Sequence, residues 1–480
     1  VPNARISGLV LALLLALTAV AASNQVIADP FDPVPDPDLA LGTYTHPAGG
    51  TTLTLAVGIG SSAARSPFDP LTLLASLFRH DRLADAVWTV SDRGPNFQCE
   101  EASLVIGLTD VVACPADGVV AAGAGRIYVR PDYSPSIYRV VLKRDGTFRV
   151  VGTIPLRTAD GTPITGLPNP LTVATTEVAR DGQGKVIAQD ANAIDAEGLV
   201  RVPFFGGRFL IAEENATGLL EVRRDGRIIK RFVPAGTEHD YTNPPPPLTP
   251  AGYDVDGSLP AILAKRRLNR GIESLAISAD FRHVYFIVQS PLDNPNSSGA
   301  VRDSANIRLY KLRIDWRPQG STLAAVGEWV YPLEPVSTFQ ALGATDAGRR
   351  RDLRVSEMLR LGGERFLILE RTDQVTILFE VDLAQATNIL DPSFSGPDFD
   401  SLATTPSLEQ TADLASVGVT ALTKMQRLIA SSLAGAQPRF PAKLEGLART
   451  GDGRLLVIND DDFGITGATT QINLVGGIGD

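Results

Sequence analysis

The chain of 480 residues has only two cysteines, four histidines and two methionines, and 6% of its residues are aromatic. Four histidines, His46, His80, His239 and His283, none at ligand spacing from another, argue against a zinc centre. There is no Gly-x-Ser-x-Gly elbow, since Gly58-Ile59-Gly60-Ser61-Ser62 does not fit it, and this argues against the common α/β serine hydrolases. No glycine-rich loop is spaced to cradle a phosphate. Basic residues are outnumbered, 44 Lys and Arg against 54 Asp and Glu, for a net charge of −10. Nucleic acid and anionic membranes are therefore excluded as partners, because binding them requires clustered cations.

Long amphipathic helical patterns are also scarce. Residues 411–433, with apolar residues at mixed helical spacing and Lys424 and Arg427 late in the run, form the one segment that predicts a helix. One long apolar run occurs, residues 6–22 after Arg5, followed by small residues. That layout predicts a signal peptide over residues 1–28, a secreted or periplasmic protein, and no membrane span after cleavage. In an oxidising compartment Cys99 and Cys114 are expected to close a short disulfide loop.

What the sequence does hold is a phrase that returns four times: Asp195-Ala196-Glu197-Gly198-Leu199, Gly271-Ile272-Glu273-Ser274-Leu275, Val355-Ser356-Glu357-Met358-Leu359 and Lys443-Leu444-Glu445-Gly446-Leu447. After each copy come a turn and an aliphatic run with a polar end: Glu213-Glu214-Asn215, Gln289, Glu370-Arg371 and Asn459-Asp460-Asp461. The glutamates lie 76, 84 and 88 residues apart, a period that suits propeller blades with loop insertions. The expected fold is all-β, a β-propeller of five or six four-stranded blades in one domain over residues 40–480. Residues 52–57 are expected to close the ring by pairing with residues 471–475. Residues 241–256 and 391–409 are read as inserted loops.

In a meander the start of the first strand lies beside the end of the second, so these polar residues should gather at one mouth of the central channel. Asp92, Arg93 and Asn96 of a more degenerate first unit should join them. Carboxylates this close repel unless they take up protons or hold a cation. Hard oxygen ligands without histidine or cysteine favour Ca²⁺, with Glu197, Glu273, Glu357 and Glu445 as its ligands. The plainer alternative is that each glutamate merely caps its own hairpin, yet a cap does not require the second strand to end in polar residues.

The run Gly58–Ser62, the run Ser91-Asp92-Arg93-Gly94-Pro95-Asn96 and the successive Glu-Gly-Leu or Glu-Ser-Leu units resemble the phytase-like family described by esterase-like activity, over residues 45 to 465. The resemblance implies a six-bladed or similar calcium-dependent propeller that hydrolyses phosphate or carboxylate esters. The expected activity is hydrolysis of a small anionic ester, a phosphoester before a lactone or carboxylic ester, by a monomer. Arg93 would steady developing charge, Glu214 or Asp460 would serve as general base, and Asp92, Asn96 and Arg371 would meet the substrate. The competing readings are a lactonase-type hydrolase and a non-enzymatic propeller that binds a partner and uses Ca²⁺ structurally.

Overall fold

Strand accounts for 38% of the described residues and helix for 12%, which makes the protein mostly β. The computed structural model describes residues 28–65 and 83–476. The expected signal segment, apart from Ala28, and His80 lie outside the described residues.

The strands form a succession of antiparallel meanders. Sheet I holds Ser62–Ala64, Leu83–Val90, Ser136–Lys143 and Thr147–Pro155. Sheet II holds Ala196–Val202, Arg208–Glu213, Gly218–Arg223 and Ile228–Pro234, then Asp254–Leu259 added in parallel at its edge. Sheet III holds Ala276–Ile277, His283–Ile287, Asn306–Asp315 and Thr322–Pro332. Sheet IV holds Arg354–Gly362, Arg365–Arg371, Val375–Asp382 and Met425–Ser431. Sheet V holds Leu444–Arg449, Leu455–Asn459 and Ile472–Val475, and its fourth strand comes from Ala28–Pro33.

Each first strand touches the first strands of the sheets on either side, I to II to III to IV to V and back to I. The period of two along each strand explains how such a ring is cemented, because successive side chains point to opposite faces. In the second strand of sheet II, Phe209 and Ile211 pack toward Trp88 and Ile137 of sheet I, while Leu210 joins the core shared with Phe286 of sheet III. In sheet IV, Phe366 and Ile368 face sheet III, and Leu367 and Leu369 face Leu447 and Val457 of sheet V. Leu456 and Ile458 then meet Val87 and Val140 of sheet I. Each such aliphatic or aromatic side chain contributes about 1.5–3 kcal/mol on burial, so both faces of every sheet are needed.

The ring also explains the glycine after the repeated glutamate. A Cβ on Gly198 would stand 2.7 Å from the carbonyl oxygen of Glu273, and one on Gly446 would stand 3.1 Å from the carbonyl carbon of Ser62 and 3.2 Å from Ala63 N. The first strands approach too closely for a larger residue at either place.

Three expectations are corrected. Residues 411–433 form no long helix: Met425–Ser431 is the fourth strand of sheet IV, with Leu428 and Ala430 buried and Ile429 exposed. An alternating burial pattern and an open sheet edge override the helical spacing. Residues 52–57 do not pair with the last strand. Leu53–Ala56 pairs instead with Ala40–Tyr44, and Ala28–Phe31, in the proline-rich stretch, takes the place beside Ile472–Val475. The same segment then pairs in parallel with sheet I, Asp32 opposite Thr147 and Pro33 opposite Phe148, so it joins sheets V and I into one eight-stranded sheet. The loop expected at 241–256 contains the start of the Asp254–Leu259 strand. Among the described residues, no helix is long and apolar enough to cross a membrane.

Candidate functional site

Where the first strands begin, a cavity of about 590 Å³ opens. Its wall includes Asp92, Arg93, Asn96, Glu197, Glu214, Glu273, Gln289, Arg371, Glu445 and Asp460 from the residues expected at the mouth. Antiparallel register brings them together: Ala196 pairs with Glu213, Ile272 with Val288, Val355 with Glu370 and Leu444 with Asn459. In sheets II, IV and V the ladder slips by one residue beside the glutamate, a β-bulge of the kind that re-aims a side chain.

Glu357 departs from its counterparts. In sheet IV the extra residue is Ser356, one position earlier than the bulged Glu445 of sheet V, so Glu357 is back in register opposite Leu369. Its carboxylate lies outside the cavity wall, accepting from Ser62 Oγ (2.5 Å), Met358 N (3.0 Å) and Leu275 N (3.4 Å). Since Ser62 Oγ also accepts from Leu199 N (3.1 Å), this glutamate ties together the first strands of several sheets. Glu370 is likewise elsewhere, held by Tyr331, Lys424 and the Glu334 N–H. Glu213 binds Arg231 at 2.9 Å, and Asp461 caps the Phe463 N–H.

One side of the cavity is acidic. Asp92, Asp195 and Glu197 each place an oxygen within 4.8 Å of the others. Gln289 Nε2 bridges Glu214 (2.7 Å) and Glu273. Two buried oxygens on this side, Glu273 Oε2 and Gln289 Oε1, receive no hydrogen bond among the described residues, and Asp195 Oδ2 is met only by the ion pair with Arg93 Nε. Burial, followed by mutual repulsion, pushes Glu197 and Glu214 well above the usual carboxylate range. Burial also raises Asp195, to about 6, against the pull of Arg93. Arg93 itself is buried, at 2.8 Å from Glu177 and 3.2 Å from Asp195. Burial would raise Glu177, but Arg126 and Arg93 hold it at about 2. Asn96 is committed too, donating to Gly94 O at 2.6 Å and accepting from Arg126.

The other side is basic. Arg371 is bound to Glu445, to Asp373 (2.8 Å) and to Ser356 Oγ (2.9 Å). Burial lifts Glu445 to about 8 despite this arginine. Lys443 pairs with Asp460 at 2.7 Å and with Asp462, and although burial opposes it, this lysine keeps Asp460 below its ordinary value. Arg267, Arg270 and Arg354 complete the wall.

Sequence reasoning missed Arg126, Glu177, Asp195, Arg267, Arg270, Arg354, Asp373, Lys443 and Asp462. A signal was present for four of them, since Asp195, Arg270, Arg354 and Lys443 each stand two or three residues before a repeated glutamate. Arg126, which begins the short strand Arg126–Tyr128, and Glu177 lie in stretches with no repeat to mark them. A larger cleft of about 820 Å³ beside residues 386–397 offers only Asp391 as an ionisable group, and that carboxylate is occupied by Ser393.

Residues 76–463 match the model of the phytase-like family, described by the esterase-like activity of phytase, and the chain belongs to this family. No curated protein matches it. Among solved structures, a Bacteroides caccae protein of unknown function aligns at 8% identity and a TM-score of 0.25, over 68% of this chain and 61% of that one. A candidate glucose-dehydrogenase oxidoreductase from Thermus thermophilus aligns at 9% and 0.30, over 94% and 99%. The Dos1 propeller aligns at 10% and 0.24, over 94% and 96%. At these scores the likenesses carry no argument about what the chain does.

Proposed function

We propose that the protein is an exported, calcium-dependent esterase built as a five-bladed propeller, sheets I to V being its blades, and that it hydrolyses phosphoesters at the mouth of the central channel. The cyclic contact of the five first strands supports the fold. One observation carries the function: buried oxygens that accept no hydrogen bond, Glu273 Oε2 and Gln289 Oε1, with Asp195 Oδ2 met only by Arg93 Nε at 3.2 Å, line the same cavity as several cationic side chains. A hard cation satisfies the first set and an anionic substrate the second. The donor set fits Ca²⁺ better than zinc or copper, being all oxygen. Asp92, Asp195 and Glu197 would hold it with Glu273, while Glu445 and Glu357 of the expected set are engaged with Arg371 and Ser62. When bound, the ion would supply Lewis-acid polarisation of the ester oxygen.

The chain's own residues would do the rest. Glu214, raised by burial and bonded by a single Gln289 N–H, is placed to take a proton from water. Asp460 is the weaker base, since Lys443 holds its charge. Arg93 acts by orienting Asp195, because Glu177 and Asp195 take up its guanidinium. That same commitment favours a second reading, a binding module with a structural ion. The test is hydrolysis of a phosphomonoester, a phosphodiester and a lactone with Ca²⁺ or with chelator. Calcium-dependent phosphoester turnover that Glu214→Gln abolishes is expected. Turnover of the lactone alone supports the lactonase reading, and turnover of none supports the binding module.

A further inference from the structure

The basic wall contains one cation whose position has no structural explanation. Residues 267–270 make a tight turn closed by a bridge between Arg267 and Arg270, with Asn269 in the left-handed region at φ 52°. The backbone after it is pinned between two sheets: Gly271 N donates to Glu214 O (3.0 Å), and Gln289 N donates to Gly271 O (2.9 Å). The turn therefore holds two guanidinium groups side by side, and Arg354 at the start of sheet IV adds a third.

Two of the three have partners. Arg267 Nη1 donates to Arg351 O at 2.7 Å, and Arg354 Nη1 to Asp373 at 2.9 Å. Nη1 of Arg270 is buried and donates to nothing among the described residues. The carboxylates nearest in charge, Glu214 and Glu273, each give Oε1 to Gln289 instead. Burial, then Arg354, then Arg267 all disfavour charge on Arg270. A guanidinium cannot shed its proton at neutral pH, so the group remains a cation that lacks an acceptor.

We infer that Arg270, flanked by Arg267 and Arg354, seats a dianionic tetrahedral group of the substrate, which makes that substrate a phosphate monoester and not a lactone or carboxylic ester. The assignment rests on the hydrolase reading above. A phosphate monoester presents several charged oxygens to forked N–H donors, whereas a lactone presents one neutral carbonyl and leaves the charge of Arg270 unanswered.

Binding of inorganic phosphate, followed by calorimetry in low salt with chelator, tests the seat without any turnover. Wild type should bind phosphate, Arg270→Gln should weaken it at least about tenfold and Arg354→Gln at least about threefold, as expected for loss of charge-assisted donors. Arg224→Gln removes the same charge from an exposed turn outside the cavity and should leave binding unchanged. Without phosphate, Arg270→Gln should melt no lower than wild type, because an unpartnered cation has been removed. No phosphate binding by wild type, or binding by both cavity variants within about twofold of wild type, overturns the seat. If no ester is hydrolysed but Arg270→Gln loses phosphate, the hydrolase reading falls and the anion seat stands. If phosphoesters are hydrolysed and Arg270→Gln binds phosphate normally, the seat alone falls.

Discussion

Two arginines of this fold show what a buried charge is for. Arg308, in sheet III, is fully buried and uses all its donor groups: Nε and Nη2 reach Glu409 (2.8 and 3.4 Å), and Nη1 reaches Glu328 (2.8 Å) and Asp400 (3.3 Å). Tyr310 adds a hydrogen bond to Asp400 at 2.6 Å. The result fastens the inserted segment 391–409 to the sheet, and each nitrogen of the guanidinium is answered from within the chain, with Glu328 Oε2 as an oxygen of the cluster that accepts no hydrogen bond among the described residues. Arg270 sits at the cavity with a buried donor that nothing among the described residues answers, and Glu273 Oε2 and Gln289 Oε1 in the same cavity wall also have no hydrogen bond. A closed charge cluster stabilises a fold, while an open one is completed from outside.

The largest expected effect breaks the closed cluster. Arg308→Met leaves Glu328 and Glu409 buried without their cation, and a loss of about 3–5 kcal/mol is expected, read from chemical denaturation. A loss below about 1 kcal/mol would show that the two carboxylates do not depend on Arg308. Next is the cavity rim. Cys99 and Cys114 are bonded across 15 residues, and Glu100, Glu101, Leu104 and Val105 within that loop line the cavity. Reduction should cost up to about 3 kcal/mol in the chain-entropy picture. A melting temperature unchanged by reductant would mean that the rim is held without the bond.

The difference between the two clusters also decided what could be read from the sequence. The meanders were legible because apolar alternation and Asp-Gly turns are local, and the gathering of Glu197, Glu273 and Glu445 followed from antiparallel register alone. Glu357 was placed with them because its pentapeptide matches theirs, but a bulge shifted by one residue reverses a side chain, and nothing local in Val355-Ser356-Glu357 announces that shift. The Arg308 cluster was illegible because its partners at 328, 400 and 409 are distant in sequence and share no repeat. The strand Met425–Ser431 was hidden for a related reason: only the vacant edge of Val375–Asp382 selects it over a helix.

A smaller effect sharpens the open half of the comparison. If Ca²⁺ fills the acidic side, it binds the folded state alone and should add about 2.7 kcal/mol at a hundredfold excess over Kd. Glu197→Gln and Glu273→Gln should each reduce that rise in melting temperature. Glu357→Gln should leave the rise intact while lowering the baseline, since this carboxylate serves Ser62 and two backbone N–H groups instead of the cavity. A loss of the calcium response in Glu357→Gln equal to that in Glu197→Gln would return Glu357 to the ligand set.

The smallest expected effect is a pH slope. Burial pushes Asp195 up to about 6, Asp461 to about 7 and Glu445 to about 8, so in the folded state each holds its proton more tightly than the unfolded chain does. The stability they lend is complete below the ordinary carboxylate range and is lost as pH rises through about 6 to 8. Glu177, held at about 2 by Arg126 and Arg93 against burial, works the other way: its contribution is present above the ordinary range and is lost as pH falls toward 2. Chelated protein should thus be most stable in mildly acid solution and decline toward pH 8. Calcium should flatten the part of that decline due to Asp195, because a cation replaces the proton on a ligand carboxylate. The part due to Asp461 should persist, since this residue bonds Phe463 N and Thr470 outside the cavity wall, and Asp461→Asn should remove it. Melting curves from pH 4 to 8, with and without Ca²⁺, separate the two. An identical slope in both conditions would mean that the acidic side is balanced by protons and not by a metal.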